Sequence, residues 1–168
     1  ISDICRHVEQ FHGKQLRPAL LLLCAQACGG VTRAHPVLAA VVEMVHIATL
    51  VHDDILDEAD IRRRAATVNR LWGNERAVLM GDFLFSHAYH LCSSLSDQTA
   101  ARVIGQTGVM LCEGEMMQNV SRGNFELTES EYYDIIVRKT ASLIGICGSL
   151  GARYAGADER TSQRMREF

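Results

Sequence analysis

The sequence contains few residues that break helices or build sheets. Only two of its 168 residues are prolines, Pro18 and Pro36, and aromatic residues make up 6% of the chain. We find no strand-like alternation of any length, no internal repeat and no low-complexity segment. Because proline ends or kinks a helix, a chain with so little of it can form long helices. The sequence therefore predicts an all-α fold.

A large excess of charge of one sign is also lacking. The formal net charge is -3 at pH 7, which gives no support for nucleic-acid binding. With 48% hydrophobic and 22% charged residues, the composition is globular, and we expect residues 1–168 to form a single domain. No signal peptide is recognisable, and no apolar run is long and charge-free enough to span a bilayer. We therefore expect a cytoplasmic protein without a membrane span.

Most of the six cysteines lie in apolar, helix-like contexts, which favours reduced, buried thiols in a cytosolic protein. Cys24 and Cys28 are four residues apart and could bind a metal, but no second Cys/His pair has matching spacing. Core packing is the better interpretation of this pair.

Glycines and short polar turns divide the chain into predicted helices. The capping signals are Asn74 and the pair Thr128 and Glu131. Residues 59–67 are expected to form a basic loop. The predicted helices cover residues 1–12, 18–28, 34–58, 67–72, 74–95, 98–120, 128–154 and a last helix from about 158.

The most informative segment is the end of the helix predicted over 34–58. This helix is apolar nearly all round, which is typical of a helix buried on all sides. It carries Asp53 and Asp57 one turn apart on the same face. The two carboxylates repel each other, and a hard cation with oxygen ligands is the expected compensation. The arginines at 62–64 follow, and this arrangement indicates a metal-bridged phosphate substrate at the mouth of a hydrophobic cavity.

The alternative interpretation is that these charges form an ordinary solvated helix end, as most acidic and basic runs do. Position favours the functional interpretation, because the carboxylates end a hydrophobic helix and do not lie on an amphipathic surface helix.

Four ordered motifs resemble those of the trans-isoprenyl diphosphate synthases, the polyprenyl synthetase family. Residues 13–18 (GKQLRP) resemble its G-K-x-x-R-P motif, and 53–57 (DDILD) followed by Arg62 and Arg63 resemble its first aspartate-rich motif. Residues 81–84 (GDFL) and Lys139-Thr140-Ala141 resemble two later markers. The ordered set covers the whole chain and is highly specific.

The chain also departs from the family pattern. Arg64 stands where the family usually has glycine, and Ala65–Ala66 replace a Lys-Pro or similar pair. The family's second aspartate-rich motif belongs on a later helix, and the sequence ends at Phe168 before that region. The resemblance thus implies an isoprenoid synthase-type helical bundle around a central cavity, incomplete at its C-terminus, as the N-terminal part of a larger synthase domain.

The activity implied by the resemblance is prenyl transfer. An allylic diphosphate ionises, the double bond of isopentenyl diphosphate attacks the allylic carbon, and a proton is lost. The implied cofactor is Mg²⁺, held by Asp53 and Asp57. Asp54 is the weaker candidate ligand, since a helix turns it away from that face. Lys139 completes the implied catalytic set, and family members are commonly homodimers.

The resemblance also assigns substrate contacts. Arg62, Lys139 and Thr140 would contact the allylic diphosphate, whereas isopentenyl diphosphate would be held by Lys14, Arg17, His46 and Arg63. His46 lies two turns before Asp53 on the same helix face, although a lone histidine on an apolar helix is more often a core residue. Likewise, Lys14, Arg17 and Lys139 could be ordinary surface cations. No chemistry is assigned to the remaining histidines His7, His12, His35, His87 and His90 or to Met116, Met117, Glu113 and Glu115.

Product length is a further expectation. Ala48 and Thr49 lie one turn before Asp53, where family members with short products tend to carry bulky aromatics. Small side chains there leave the tunnel open and imply a longer polyprenyl product. Phe83 and Phe85 could form a deeper floor.

Two other function classes stay open. A non-catalytic truncated subunit or paralogue could bind and modulate a complete synthase, but a scaffold does not need both Asp53 and Asp57. A class I terpene cyclase shares the metal chemistry, but it has no second diphosphate for residues 13–18 and Arg62–Arg63 to hold.

Overall fold

The regular structure is almost entirely helical, as predicted. The computed structural model describes residues 1–11 and 13–168, so the predicted end of the first helix at His12, and the expectation that His12 has no role, lie outside the described residues. The helices are α1 (Ser2–Val8), a 3-10 turn (Glu9–Phe11), α2 (Leu16–Ala27), α3 (Ala34–Leu56), α4 (Val68–Trp72), α5 (Asn74–Ser93), α6 (Thr99–Val120), α7 (Glu129–Ile136), a π-helical segment (Val137–Ala141), α8 (Ser142–Tyr154) and α9 (Glu159–Glu167).

Helix α3 is the central element. It packs most extensively on α5 and also contacts α2, α4 and α8. From Val41 to Ile55 none of its residues is exposed, which confirms the predicted buried helix. Residues of α3 enter two clusters of buried side chains, the larger through positions 38–45 and the smaller through Val51. The C-terminal end of α3, with its carboxylates, is therefore rigidly placed.

The expectation that no apolar run could span a bilayer is wrong when the helices are judged by length and composition alone. Two helical stretches, Ala34–Leu56 and Glu129–Tyr154, satisfy that test. The physical reason is that a core helix packed on several sides needs apolar residues on each of them, which gives it the composition of a membrane span.

The loop predicted over 59–67 contains a small hairpin. Strand β1 (Ile61–Arg62) pairs antiparallel with β2 (Ala65–Ala66). The two turn residues, Arg63 and Arg64, have φ values of 50° and 72°, as a tight two-residue hairpin turn requires. Glycine adopts such values without strain, so the turn explains why the resembling family usually has glycine where Arg64 stands.

Helix capping was predicted correctly at one of two places. Thr128 and Glu131 form a capping box, and the Asp158 side chain accepts a hydrogen bond from the Thr161 backbone nitrogen. Asn74 does not cap α5, since the helix begins at Asn74 itself and Gly73, at φ 84°, occupies the cap position.

The helix predicted over 128–154 is interrupted by the π-helical segment at Val137–Ala141. This segment contains Lys139 and Thr140. Single π-helical turns inside α-helices are rare and occur frequently at functional sites.

Candidate active site

A cavity of about 560 Å³ lies beside the C-terminal half of α3. Its walls come from α3, α5 and α6, and Lys139 of the π-helical segment also lines it. Its polar lining includes Asp53, Glu115 and Lys139, and its apolar lining includes Phe85 and Leu111. The volume and the mixed lining are those of a small-molecule site.

Of the three aspartates at the end of α3, Asp53 is the one that lines this cavity. Its side chain is 18% exposed, and its Oδ2 lies 3.8 Å from the Lys139 Nζ. Burial raises the pKa of Asp53 to about 6, the Lys139 ammonium opposes the rise, and the negative charges of Glu115 and Asp57 add to it. Asp53 therefore carries a charge that is poorly compensated by its neighbours, as expected of a site that receives a cation.

Asp57 lies one turn further along and caps the C-terminal end of α3. It is half-exposed, and its Oδ1 accepts a hydrogen bond of 2.5 Å from the Arg122 guanidinium, which follows α6. The predicted pair of carboxylates is thus present at the helix end, but each member has a basic partner in this structure.

Asp54 does not join this pair. Its side chain is 1% exposed, and its Oδ1 accepts a hydrogen bond of 2.8 Å from the Arg62 Nε. Burial raises the pKa of Asp54, and the hydrogen bond from Arg62 opposes the rise. The carboxylate is engaged in anchoring the hairpin to α3, so Asp54 is left out of the ligand set. The same contact holds Arg62, the residue implied for the allylic diphosphate, at the end of α3.

Whether a divalent cation can bind at this helix end depends on how many carboxylates lie close together. Among residues 1–11 and 13–168, no group of three or more His, Cys, Asp and Glu side chains could hold a metal ion. Mg²⁺ is usually bound through one or two carboxylates, with waters and substrate phosphates as the other ligands. Asp53 and Asp57 fit that ligand set.

Three arginines, Arg17, Arg62 and Arg63, form a second charged group, which we call the arginine cluster. Their charges act together on His46 of α3. Burial and, in decreasing order, the positive charges of Arg17, Arg63 and Arg62 together lower the pKa of His46 to about 4. The Arg17 Nε is buried without a hydrogen-bond partner among the described residues. The Arg62 charge is paired with Asp54, whereas Arg17 and Arg63 form no ion pair with a carboxylate among the described residues.

Gly13 explains how Arg63 reaches this cluster. A β-carbon at Gly13 would overlap the Arg63 guanidinium, which also donates a hydrogen bond to the Phe11 carbonyl oxygen. A larger residue at position 13 would displace the arginine. Lys14, the other cation of this turn, is exposed.

Lys139 and Thr140 both border a smaller cavity of about 400 Å³, and Lys139 lines the larger one as well. The Lys139 ammonium forms an ion pair with Glu115 in addition to its contact with Asp53. Sequence reasoning missed Glu115, although its place four residues after Leu111 on α6 puts both on one helix face.

The two residues expected to line the product tunnel differ in the structure. Thr49 lines the cavity, and its hydroxyl donates to the His46 carbonyl oxygen of its own helix. Ala48 is 0% exposed and is not among the lining residues, because one residue along a helix is a rotation of about 100°. Phe85 lines the cavity, whereas Phe83 borders a separate groove.

The comparisons with known proteins cover the whole chain. The family model described as polyprenyl synthetase matches residues 1–168. This chain belongs to the polyprenyl synthetase family. The predicted resemblance is thereby confirmed.

Individual polyprenyl synthetases agree with this membership. The octaprenyl diphosphate synthase of Escherichia coli is 34% identical over 168 residues, covering 100% of this chain and 52% of that protein. A crystal structure of a decaprenyl diphosphate synthase from Rhodobacter capsulatus has a TM-score of 0.94 at 34% identity, covering 98% of this chain and 51% of that one. The chain thus spans about half the length of the relatives that it matches.

A third comparison is a polyprenyl synthase from Caulobacter crescentus, crystallised in complex with calcium and isoprenyl diphosphate. It has a TM-score of 0.93 at 32% identity, covering 99% of this chain and 52% of that one. These superpositions confirm the predicted isoprenoid synthase-type helical fold.

Proposed function

We propose that this protein is a prenyltransferase that condenses isopentenyl diphosphate with an allylic diphosphate to make a polyprenyl diphosphate. The observation that carries the proposal is the pairing of two opposite charged groups at one end of α3. Asp53, whose charge is poorly compensated, lines the larger cavity one turn before Asp57, and the arginine cluster acts on His46, with the buried Arg17 Nε left without a hydrogen-bond partner among the described residues. Two anionic substrates and a bridging cation would satisfy both groups.

Mg²⁺ is the proposed cofactor, with Asp53 and Asp57 as its protein ligands. When bound, it would neutralise the charge that develops on the diphosphate as it leaves the allylic carbon. Lys139 and Thr140 approach the same position from the π-helical segment, and Lys139 supplies a second positive charge to the leaving diphosphate. Arg62, which is held in place by Asp54, supplies a third positive charge from the hairpin.

Arg17 and Arg63 of the arginine cluster form the proposed binding site for isopentenyl diphosphate. Arg17 and Arg63 would donate to its phosphate oxygens, with Lys14 at the exposed edge. Guanidinium groups bind phosphate through paired, planar hydrogen bonds. The lowered pKa of His46 means that its imidazole is neutral at pH 7 in the absence of an anion. It can then donate a hydrogen bond without adding to the repulsion among the arginines.

The apolar part of the larger cavity would hold the growing prenyl chain. Thr49 and Phe85 line it, and the small Thr49 side chain leaves room near the carboxylates. We infer a medium or long polyprenyl product, in keeping with the octaprenyl and decaprenyl names of the similar proteins.

We also infer a cytoplasmic homodimer. Large apolar side chains on α5 and α6, among them Leu79, Val109 and Val120, are exposed. Their burial against a second copy would remove apolar surface from water. Light scattering after gel filtration measures the mass of the assembly, and a monomer at micromolar concentration would contradict this inference.

The test is incorporation of radiolabelled isopentenyl diphosphate by the protein expressed from its native gene, with farnesyl diphosphate as the allylic substrate. We expect elongated products with Mg²⁺ and none with EDTA. Asp53→Asn should lower kcat by about a hundredfold or more, as loss of a group that stabilises developing charge commonly does. Asp60→Asn is the matched control, because Asp60 is an exposed carboxylate whose only ion pair here is with Arg70.

The same experiment decides between the enzyme and the modulating subunit. Absence of product from the protein alone, together with a changed product length when it is mixed with a complete synthase, would favour the non-catalytic role. Absence of any effect in both assays would contradict prenyl transfer as well.

A further inference from the structure

Three consecutive residues of α6 contact the π-helical segment closely. Glu113 forms an ion pair with Arg138, and Glu115 forms one with Lys139. Between them, a β-carbon at Gly114 would lie 2.6 Å from the Lys139 backbone nitrogen. Glycine is therefore needed for α6 to approach this segment so closely. We call residues 113–115 the acidic clasp.

The two ion pairs of the acidic clasp face different surroundings. Arg138 also pairs with Asp134 at 2.9 Å, and neither Arg138 nor Glu113 lines a cavity. Lys139 and Glu115 both line the larger cavity, and Glu115 is only 16% exposed. The outer pair is therefore a surface contact, while the inner pair lies where the proposed chemistry takes place.

The inner pair controls how Lys139 meets Asp53. Glu115 holds the Lys139 ammonium in direct contact, whereas the Asp53 Oδ2 lies 3.8 Å away, beyond normal hydrogen-bond distance. Without the Glu115 charge, Asp53 would be the remaining carboxylate in reach of the ammonium. Lys139 would then close on Asp53 and occupy the oxygen that a cation needs.

We propose that Glu115 is a positioning residue, which keeps Lys139 off Asp53 so that this carboxylate stays available for a divalent cation. The inference deepens the proposed function and rests on it for its role in prenyl transfer. Gly114 contributes to this positioning, because the absence of a β-carbon lets the π-helical segment pack directly against α6.

A double-mutant cycle on metal binding tests this inference without requiring activity. The probe is Mn²⁺ alone, measured by isothermal titration or electron paramagnetic resonance, on the wild type, E115Q, K139Q and the double variant. We expect E115Q to weaken Mn²⁺ binding by about tenfold, the value of one charge-assisted contact. In the K139Q background the same change should have little effect, because there is no ammonium to close on Asp53.

A purely electrostatic role predicts a different result, since loss of the Glu115 charge would weaken Mn²⁺ binding by the same factor in both backgrounds. That additive outcome would overturn the inference. E113Q is the matched control, two residues earlier on α6 in the outer pair, and it should leave Mn²⁺ binding unchanged. In the transfer assay, E115Q should raise the KM for the allylic diphosphate and leave that for isopentenyl diphosphate unchanged, because the arginine cluster is untouched.

A crystal structure of metal-free E115Q separates failure of this inference from failure of the proposed function. If the wild type binds no Mn²⁺, the metal-dependent function fails, but the position of Lys139 still decides the inference. A Lys139 Nζ within hydrogen-bond distance of Asp53 supports it, and an ammonium that stays in its present place overturns it.

Discussion

Replacing the two adjacent aspartates at the end of α3 should have opposite effects on stability. Asp53→Asn should stabilise the metal-free protein at pH 7. Its pKa rises from 3.8 to about 6 in the fold, and such a rise corresponds to about 3 kcal/mol at about 1.4 kcal/mol per pKa unit. Water reaches the exposed edge of the side chain and screens the charge, so we expect a gain of about 1–2 kcal/mol.

The pH dependence follows from the direction of this shift. Because the pKa of Asp53 is higher in the fold than in the unfolded chain, ionisation costs wild-type stability as pH rises from about 4 to about 6. The Asp53→Asn variant has no carboxylate to ionise at this position, so it does not lose this stability. The difference between variant and wild type should therefore be small below pH 4 and reach its full size above pH 6.

Asp54→Ala should instead destabilise the protein. Asp54 is buried and accepts the Arg62 hydrogen bond, and its replacement leaves that donor without its charged acceptor. An unsatisfied buried donor costs about 1–3 kcal/mol, and Arg62, which is 25% exposed, can turn partly toward water. We expect a loss of about 1–2 kcal/mol with little change in Mn²⁺ affinity.

Urea denaturation in EDTA at pH 7 and pH 4, together with Mn²⁺ titration at pH 7, measures both effects. Asp60→Asn serves as the surface control. The reasoning about burial would be refuted if Asp53→Asn lost stability at pH 7, or if its gain were the same at pH 4. The assignment of Asp54 to a structural contact would be refuted if Asp54→Ala abolished Mn²⁺ binding while leaving stability unchanged.

Three further predictions concern the cavity and its charged rim. Thr49→Phe should shorten the prenyl product on chromatography, while Ala48→Phe, at a fully buried position, should cost about 1–3 kcal/mol of stability; shortening by the second variant alone would reverse this assignment. In an NMR titration, inorganic pyrophosphate should raise the pKa of His46 from about 4, because an anion offsets the neighbouring arginine charges, and an unmoved pKa would contradict anion binding there. Arg122→Ala should strengthen Mn²⁺ binding by about two- to fivefold at low salt, since it frees Asp57 from a surface ion pair, and weaker binding would show that the guanidinium assists the cation.

The helices and the position of the carboxylates could be predicted because their signals are local. Glycines, capping residues and the uniformly apolar character of α3 each act over a few residues. The capping box at Thr128 and Glu131 is formed entirely within one turn, so sequence alone locates it. The spacing of Asp53 and Asp57 fixes their common helix face for the same reason.

The parts that failed depend on distant contacts. Neither the π-helical segment nor the ion pair of Glu115 can be read from local pattern, because both arise where α6 meets residues 25 positions further on. Whether Ala48 or Thr49 faces the cavity depends on which helices pack around α3. Asp54 stays the weaker predicted ligand, and its partner Arg62 cannot be read from local pattern because it reaches Asp54 only after the hairpin turns back.

The hairpin turn also sets the spacing between two arginines that are proposed to bind different substrates. Arg62 is tethered to the end of α3 and Arg63 to the Phe11 carbonyl, so two adjacent residues serve two separate anchoring points. Their α-carbons are joined by one trans peptide unit, about 3.8 Å long. The distance between the backbones of these two arginines is thus dictated by covalent bonds, and it would persist while the surrounding helices move.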